Sequence, residues 1–325
     1  MNINSIFNIY NFSDFEKLSL EIFQLQAKNN TVYGDFLSHL GIDINSVHTI
    51  RQIPFLPIQF FKSHKVISSK EKVQQLFLSS GTTGNMPSKH FVNDINIYKK
   101  SFKKGFEHFY GAITDYTVLA LLPSYLERGD SSLVFMVYDF IKKSVNPKSG
   151  FYLNNLEELQ ETLLELDKNN EKTILIGVSF ALLDFIEKFN IKLKNTIIME
   201  TGGMKGRRKE LVREELHQLL CEGFGVQKIH SEYGMTELLS QAYSKGKGDF
   251  ECPPWMKIII RDPEDALTVL PQGKSGGINV IDLANINSCS FIATQDLGIS
   301  HAQGTFEVLG RFDDSDIRGC NLMVL

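Results

Sequence analysis

Six residues, Ser79-Ser80-Gly81-Thr82-Thr83-Gly84, combine four hydroxyls with two glycines, a mixture suited to a polyphosphate. Glycine lets backbone amides approach an anion closely, and the hydroxyls add donors without fixed charge. The apolar run at 75–78 precedes them and Pro87 leads to Lys89, so the order reads strand, loop, then a cation within reach of the same anion. Three further stretches carry chemistry. Thr201-Gly202-Gly203-Met204 offers paired glycines past which a flat ring or acyl chain can lie close to the backbone. Ser231-Glu232-Tyr233-Gly234-Met235-Thr236-Glu237 brings an aromatic, hydroxyls and two carboxylates together; a carboxylate beside a phosphate loop suits magnesium, and a tyrosine face can stack on a base. Asp296, in 294–298, can accept from both ribose hydroxyls, while Arg311, in Gly310-Arg311-Phe312-Asp313-Asp314, can meet the same sugar or its phosphates.

The elements that must position these loops follow from the pattern of the chain. Residues 14–28 keep a helical apolar period with Ser13 as N-cap, forming a packing appendage. Two prolines and six large apolar residues in 53–62 indicate an extended segment pinned against a core. From residue 93 helices (94–109, 131–141, 156–166, 180–189, 207–221) alternate with strands (116–122, 150–153, 173–176, 196–199, 226–229). Strands apolar on both faces and separated by helices predict an α/β fold whose mainly parallel sheet is wrapped by helices. After about residue 240 short apolar runs between Gly, Asp and Asn predict a β-rich subdomain, giving a division into 1–240 and 241–325. Ligands of such sheets bind outside the carboxyl ends of the strands, where the loops named above fall.

Composition narrows the partners. A net charge of −4 supplies no basic stripe for nucleic acid. No apolar run is long enough to span a bilayer and no leader opens the chain. The four cysteines, Cys221, Cys252, Cys289 and Cys320, show neither a disulfide framework nor zinc spacing, so a cytoplasmic protein is expected. Cys221, in a predicted helix, and Cys289, in a predicted strand, read as structural, and His230 as a hydrogen-bonded core residue. Gly273-Lys274-Ser275 imitates the end of a Walker loop, but Thr268 stands where that pattern requires glycine.

Taken in order, 79–84 through Pro87 and Lys89, Gly202-Gly203, Tyr233-Gly234-Met235-Thr236-Glu237, Asp296 and Gly310-Arg311 resemble the motifs of the adenylate-forming superfamily of acid-activating enzymes. Ile53-Pro54-Phe55-Leu56-Pro57, Phe60-Phe61-Lys62 and the ending at 316–323 make the chain most similar to the acyl-protein synthetases of the LuxE type, over roughly residues 50–325. The resemblance implies the large N-terminal domain fold of that superfamily without its mobile C-terminal domain, and a two-step reaction using ATP and Mg2+. A fatty acid would become an acyl-adenylate and then pass to a thiol. It implies that Ser79 to Gly84 and Lys89 hold the leaving phosphates, that Glu237 holds magnesium, and that Thr236 touches the α-phosphate. Tyr233 and Gly234 with Gly202 and Gly203 would line the adenine pocket, and Asp296 with Arg311 would secure the ribose. Cys320, two residues after Arg318, would be the acylated thiol, passing its acyl group to a partner such as an acyl reductase or carrier protein. The lysine that relatives carry in the mobile domain is absent; Lys89, Lys205 or a partner would have to replace it. The alternatives are an acyl- or aryl-CoA or carrier-protein ligase with Cys320 structural, and a non-catalytic protein retaining the nucleotide fold.

Overall fold

The computed structural model describes residues 3–79, 86–122, 129–153, 155–202, 208 and 211–312. In chain order its strands are β1 (Leu56–Pro57), β2 (Gln75–Leu78), β3 (Lys89–Val92), β4 (Thr117–Leu121), β5 (Gly150–Phe151), β6 (Thr173–Val178), β7 (Thr196–Thr201), β8 (His230–Tyr233), β9 (Ala242–Ser244), β10 (Phe250–Glu251), β11 (Met256–Arg261), β12 (Ser275–Asp282), β13 (Phe291–Ser300) and β14 (Phe306–Arg311). All except β2 and β3 join one sheet, in the order β11-β12-β13-β14-β10-β9-β8-β7-β6-β4-β5, with β1 added parallel to β13.

The α/β expectation holds, and the sheet changes character at β8. From β5 to β8 every pairing is parallel. These strands are fed by helices Ser132–Lys143, Leu156–Lys168, Ser179–Lys188 and Arg213–Phe224. All residues of β4 and β6 are buried, as a strand covered by helices on both faces requires. From β9 to β11 the partners are antiparallel, so the β-rich region continues the same sheet. The helix Ile95–Tyr110, capped by Asp94, buries Ile97, Tyr98, Ser101, Phe102, Gly105, Phe106 and Phe109 at three- and four-residue spacing.

The N-terminal helix Phe12–Asn29 starts from Asn11, whose side chain accepts from the Asp14 amide; the expected cap at Ser13 lies within the helix. Its buried Gln26 donates to the carbonyls of Asn285 and Ile286 and accepts from the Ser290 amide at 2.9 Å. The appendage therefore braces a loop that reaches the site. The 53–62 segment is pinned as expected by β1, but its last part turns into the short helix Phe60–Ser63. Helix 207–221 of the sequence reading is observed as Arg213–Phe224, ended by Gly225 at φ 66°, a left-handed cap that favours glycine.

Two expectations need correction. The strand placed at 226–229 is instead His230–Tyr233. Apolar content misplaced it, because β8 carries polar side chains at the end of the sheet where a ligand would bind. Cys289 lies in no strand; it follows the 3-10 turn Leu283–Asn285 and is buried, its thiol pushed up to about 12 by desolvation. Its structural reading stands.

Candidate active site

At the end of β8 the backbone presents Tyr233 on one face of the sheet. Its ring packs edge-on against Phe250 and Phe306. Its hydroxyl donates to Asp296 at 2.8 Å. Asp296 lies in β13, opposite Arg311 in β14, and the Arg311 Nε donates to the second carboxylate oxygen at 3.1 Å. Asp296, buried itself, raises the affinity of Arg311 for its proton, although 80% of the arginine side chain remains exposed. Each Asp296 oxygen thus has one donor, and a carboxylate has capacity for further donors such as sugar hydroxyls.

Glu237 is buried, and burial raises its carboxyl above the ordinary range, opposed by a hydrogen bond with Ser88 and by the charge of Arg311. Ser88 also closes the base of the predicted phosphate loop: its amide donates to Ser79 Oγ at 2.8 Å and its carbonyl accepts from the Ser79 amide at 3.1 Å. Ser79 and Glu237, 158 positions apart by number, therefore share Ser88 as a neighbour. Lys89 opens β3 opposite Leu78 with its side chain exposed. Ser80 to Gly84, Gly203, Lys205, Asp313, Asp314, Arg318 and Cys320 lie outside the described residues.

The Thr236–Glu237 backbone is held by residues that sequence reasoning missed. His90 Nδ1 donates to the Thr236 carbonyl at 2.8 Å, and Asn285 Nδ2 donates to the Glu237 carbonyl at 2.7 Å. His90 Nε2 lies 3.0 Å from Asn285 Oδ1. Burial pushes the imidazole down to about 4, opposed by its hydrogen bonds to Thr236 and Asn285. Immediately after Glu237, the amides of Leu239 and Ser240 donate to the fully buried Asp282, at 2.7 and 3.0 Å. A signal for His90 existed in the sequence: in a strand where Val92 faces inward, His90 must face inward as well.

Gly202, at φ 65°, follows the last residue of β7 and its carbonyl accepts from Ser179 Oγ. Glu232 occupies the face of β8 opposite to Tyr233 and accepts from Thr201 Oγ1. His230 is bonded to the Tyr110 hydroxyl at 3.1 Å, in line with a core role.

The donor set fits the implied ligands. Glu237 and the Ser88 hydroxyl are hard oxygens, and a magnesium ion that takes most of its ligands from water and phosphates needs no more than one or two protein carboxylates. Asp296, Tyr233 and Arg311 form a polar rim of the kind that would hold a sugar.

A family model described as "Acyl-protein synthetase, LuxE" matches residues 12–325. The chain is similar to a long-chain-fatty-acid–luciferin-component ligase of Vibrio harveyi, 25% identical over 92% of this chain and 84% of the relative. In fold it resembles an ATP-bound MatB from Rhodopseudomonas palustris, with a TM-score of 0.54 and 18% identity over 75% of this chain and 49% of that one. It also resembles a 2-hydroxyisobutyryl-CoA ligase in a postadenylation state with 2-HIB-AMP, with a TM-score of 0.67 and 11% identity over 93% of this chain and 68% of that one. The chain thus spans about half the length of the MatB structure. Adenylate-forming ligases accordingly share its α/β fold.

Proposed function

Because the chain belongs to the LuxE acyl-protein synthetase family, a family of acid–thiol ligases, we propose that it activates a carboxylic acid, in the first instance a long-chain fatty acid, with ATP and transfers the acyl group to a thiol. The observation that carries this reading is the convergence of Tyr233, Asp296 and Arg311 with Glu237 and Ser88, from strands and loops far apart in the chain. In the first step a carboxylate oxygen of the acid bonds to the α-phosphorus and pyrophosphate leaves. Asp296 accepts from the ribose hydroxyls, Tyr233 and Gly234 with Gly202 and Gly203 border the base, and Thr236 donates to the α-phosphate. The loop from Ser79 through Ser80, Gly81, Thr82 and Thr83 to Gly84, with Lys89, receives the pyrophosphate. Glu237 would hold magnesium, which when bound neutralises phosphate charge. The protein's contribution is mainly electrostatic and positional.

In the second step the thiolate of Cys320 attacks the acyl carbon, the bond to AMP breaks, and the thioester passes on to an acceptor such as an acyl reductase or carrier protein. Thiolate, not thiol, is the competent nucleophile. The buried thiols of Cys252 and Cys289, both pushed up to about 12 by burial, are poor candidates for this role. Among the described residues no helix is long and apolar enough to cross a membrane, which is compatible with a cytoplasmic enzyme handling its acid at the aqueous face.

The test is incubation with MgATP and labelled acids of several chain lengths, following pyrophosphate exchange and hydroxylamine-labile label on the protein. Cys320→Ser should retain exchange and lose the label. Persistent label on that variant refutes the thioester assignment, and no exchange with any acid refutes the activity.

A further inference from the structure

Three polar side chains converge on the face of the sheet opposite to Tyr233, and the reaction proposed above uses none of them. Glu232 and Tyr243 are directly paired between β8 and β9, so they project to the same side, and Gln241, just before β9, places its Cγ with Glu232 Oε1 over Gly234. Gln241 is 5% and Tyr243 2% exposed, yet neither Gln241 Oε1 nor the Tyr243 hydroxyl has a hydrogen-bond partner among the described residues. Unpaired buried polar atoms are costly, about 1–3 kcal/mol each, and call for a partner.

Glu232 supplies the third group. One carboxylate oxygen, Oε2, accepts from Thr201 Oγ1, at the position paired with Glu232 across β7 and β8. The other, Oε1, lies over Gly234: a Cβ there would stand 2.4 Å from it and 3.3 Å from Gln241 Cγ. Any side chain at 234 would displace the carboxyl, so glycine is what lets Glu232 Oε1 lie against this exposed turn. Burial pushes Glu232 up to about 7, opposed by Thr201 and assisted by Glu200. Tyr98 and Tyr243 stand near its carboxyl, while Glu200 of β7, paired with Arg213 and within 3.6 Å of His217, lies across from Ser231 on the Tyr233 face. Arg213 and His217 engage Glu200, and no cation among the described residues is paired with Glu232.

We propose that Glu232, Gln241 and Tyr243 form a polar subsite for the acid, selecting substrates that carry a hydrogen-bond donor, a hydroxyl or an amine, on the chain near the carboxyl group. This rests on the function proposed above. With the nucleotide on the Tyr233 and Asp296 face and the α-phosphate at the loop 234–237, the acid joined to that phosphate passes Gly234 and meets the opposite face. Glu232 Oε1 and Gln241 Oε1 are acceptors, and the Tyr243 hydroxyl both accepts and donates, so a donor on the acid satisfies what an unsubstituted alkyl chain leaves unpaired. A site built to bond such a donor rejects the analogue lacking it far more strongly than a pocket discriminates one methylene.

The experiment compares pyrophosphate exchange with acids of equal length that are unsubstituted, hydroxylated or aminated at carbons 2 and 3. The expected result is kcat/KM at least tenfold higher for a hydroxylated or aminated acid than for its plain counterpart. That ratio should collapse toward one in Glu232→Gln, with Tyr243→Phe as the milder variant should the first fold poorly. Preference for the hydroxyl series assigns a neutral donor; preference for the amine series assigns a cation on the Glu232 carboxylate. Equal use of plain and substituted acids, or a ratio unmoved in both variants, overturns the subsite while leaving acid activation intact. No exchange with any acid overturns acid activation, and the subsite with it.

Discussion

Tyr233 and Asp296, 63 positions apart in the chain, are joined by a 2.8 Å hydrogen bond across the seam where the sheet passes from parallel to antiparallel pairing. That bond aligns a ring from the parallel half with a carboxylate from the antiparallel half, and Arg311 fixes the carboxylate from its other side.

Tyr233→Phe removes the hydroxyl and keeps the ring with its contacts to Phe250 and Phe306. A hydrogen bond of this kind contributes about 1 kcal/mol, so the KM for ATP should rise about fivefold with a smaller change in kcat. Asp296→Ala, which also leaves Arg311 unpaired, should raise it by about two orders of magnitude. Initial-rate exchange measurements at varied ATP distinguish the two.

Glu237→Gln should uncouple activity from stability. Burial disfavours the charged form of this carboxyl, so a neutral amide of the same shape should leave the urea midpoint unchanged or raise it. Exchange activity should nevertheless fall about 100-fold, the scale expected when a charge-stabilising group is lost from the transition state. Equal losses in midpoint and activity would contradict this role.

His90 is a positioning residue whose substitution should act on kcat more than on KM. With His90→Ala the Thr236 carbonyl loses its donor, and a cost of about 2 kcal/mol in stability accompanies a roughly tenfold fall in exchange rate. His90→Gln, whose amide can donate to the same carbonyl, should recover part of the rate. Failure of glutamine to recover any would indicate that ring packing against Phe61 is the main service of His90.

Glu232 gives a pH-dependent signature. Its folded-state pKa, near 7, is raised above the ordinary 4.5, so its stabilising contribution is complete below pH 4.5 and is lost as pH rises through 7. Without ligand, the urea midpoint of the native protein should fall relative to Glu232→Gln between pH 5 and pH 8. A constant difference across that range would show that the carboxyl titrates normally.

The elements most legible in the sequence were those whose pattern packing alone dictates. Residues 94–109 and 173–176 show helical period and all-apolar character respectively, and each lies within one or two residues of an observed element. The strand set at 226–229 fails for a physical reason: β8 is His230-Ser231-Glu232-Tyr233, whose side chains bond to Tyr110, His217, Thr201 and Asp296 and erase the apolar signature of a central strand. Asp296, Arg311 and Tyr233 stand out in the sequence by local chemistry, and the fold brings these three together. The inward face of His90 could be read from its strand, but the backbone that His90, Asn285 and Asp282 each grip lies far away in sequence, a relation fixed only by the tertiary fold.

Because Glu232 and Tyr233 are consecutive residues projecting from opposite faces of one strand, any rotation of that strand carries one toward its ligand as it draws the other away. If Tyr233 borders the nucleotide and Glu232 the acid as proposed, a lineage exploring new acids is thereby barred from remodelling the local backbone without spoiling nucleotide affinity. Its accessible route to altered preference is exchange of side chains on a rigid support, at Glu232, Gln241 and Tyr243 themselves.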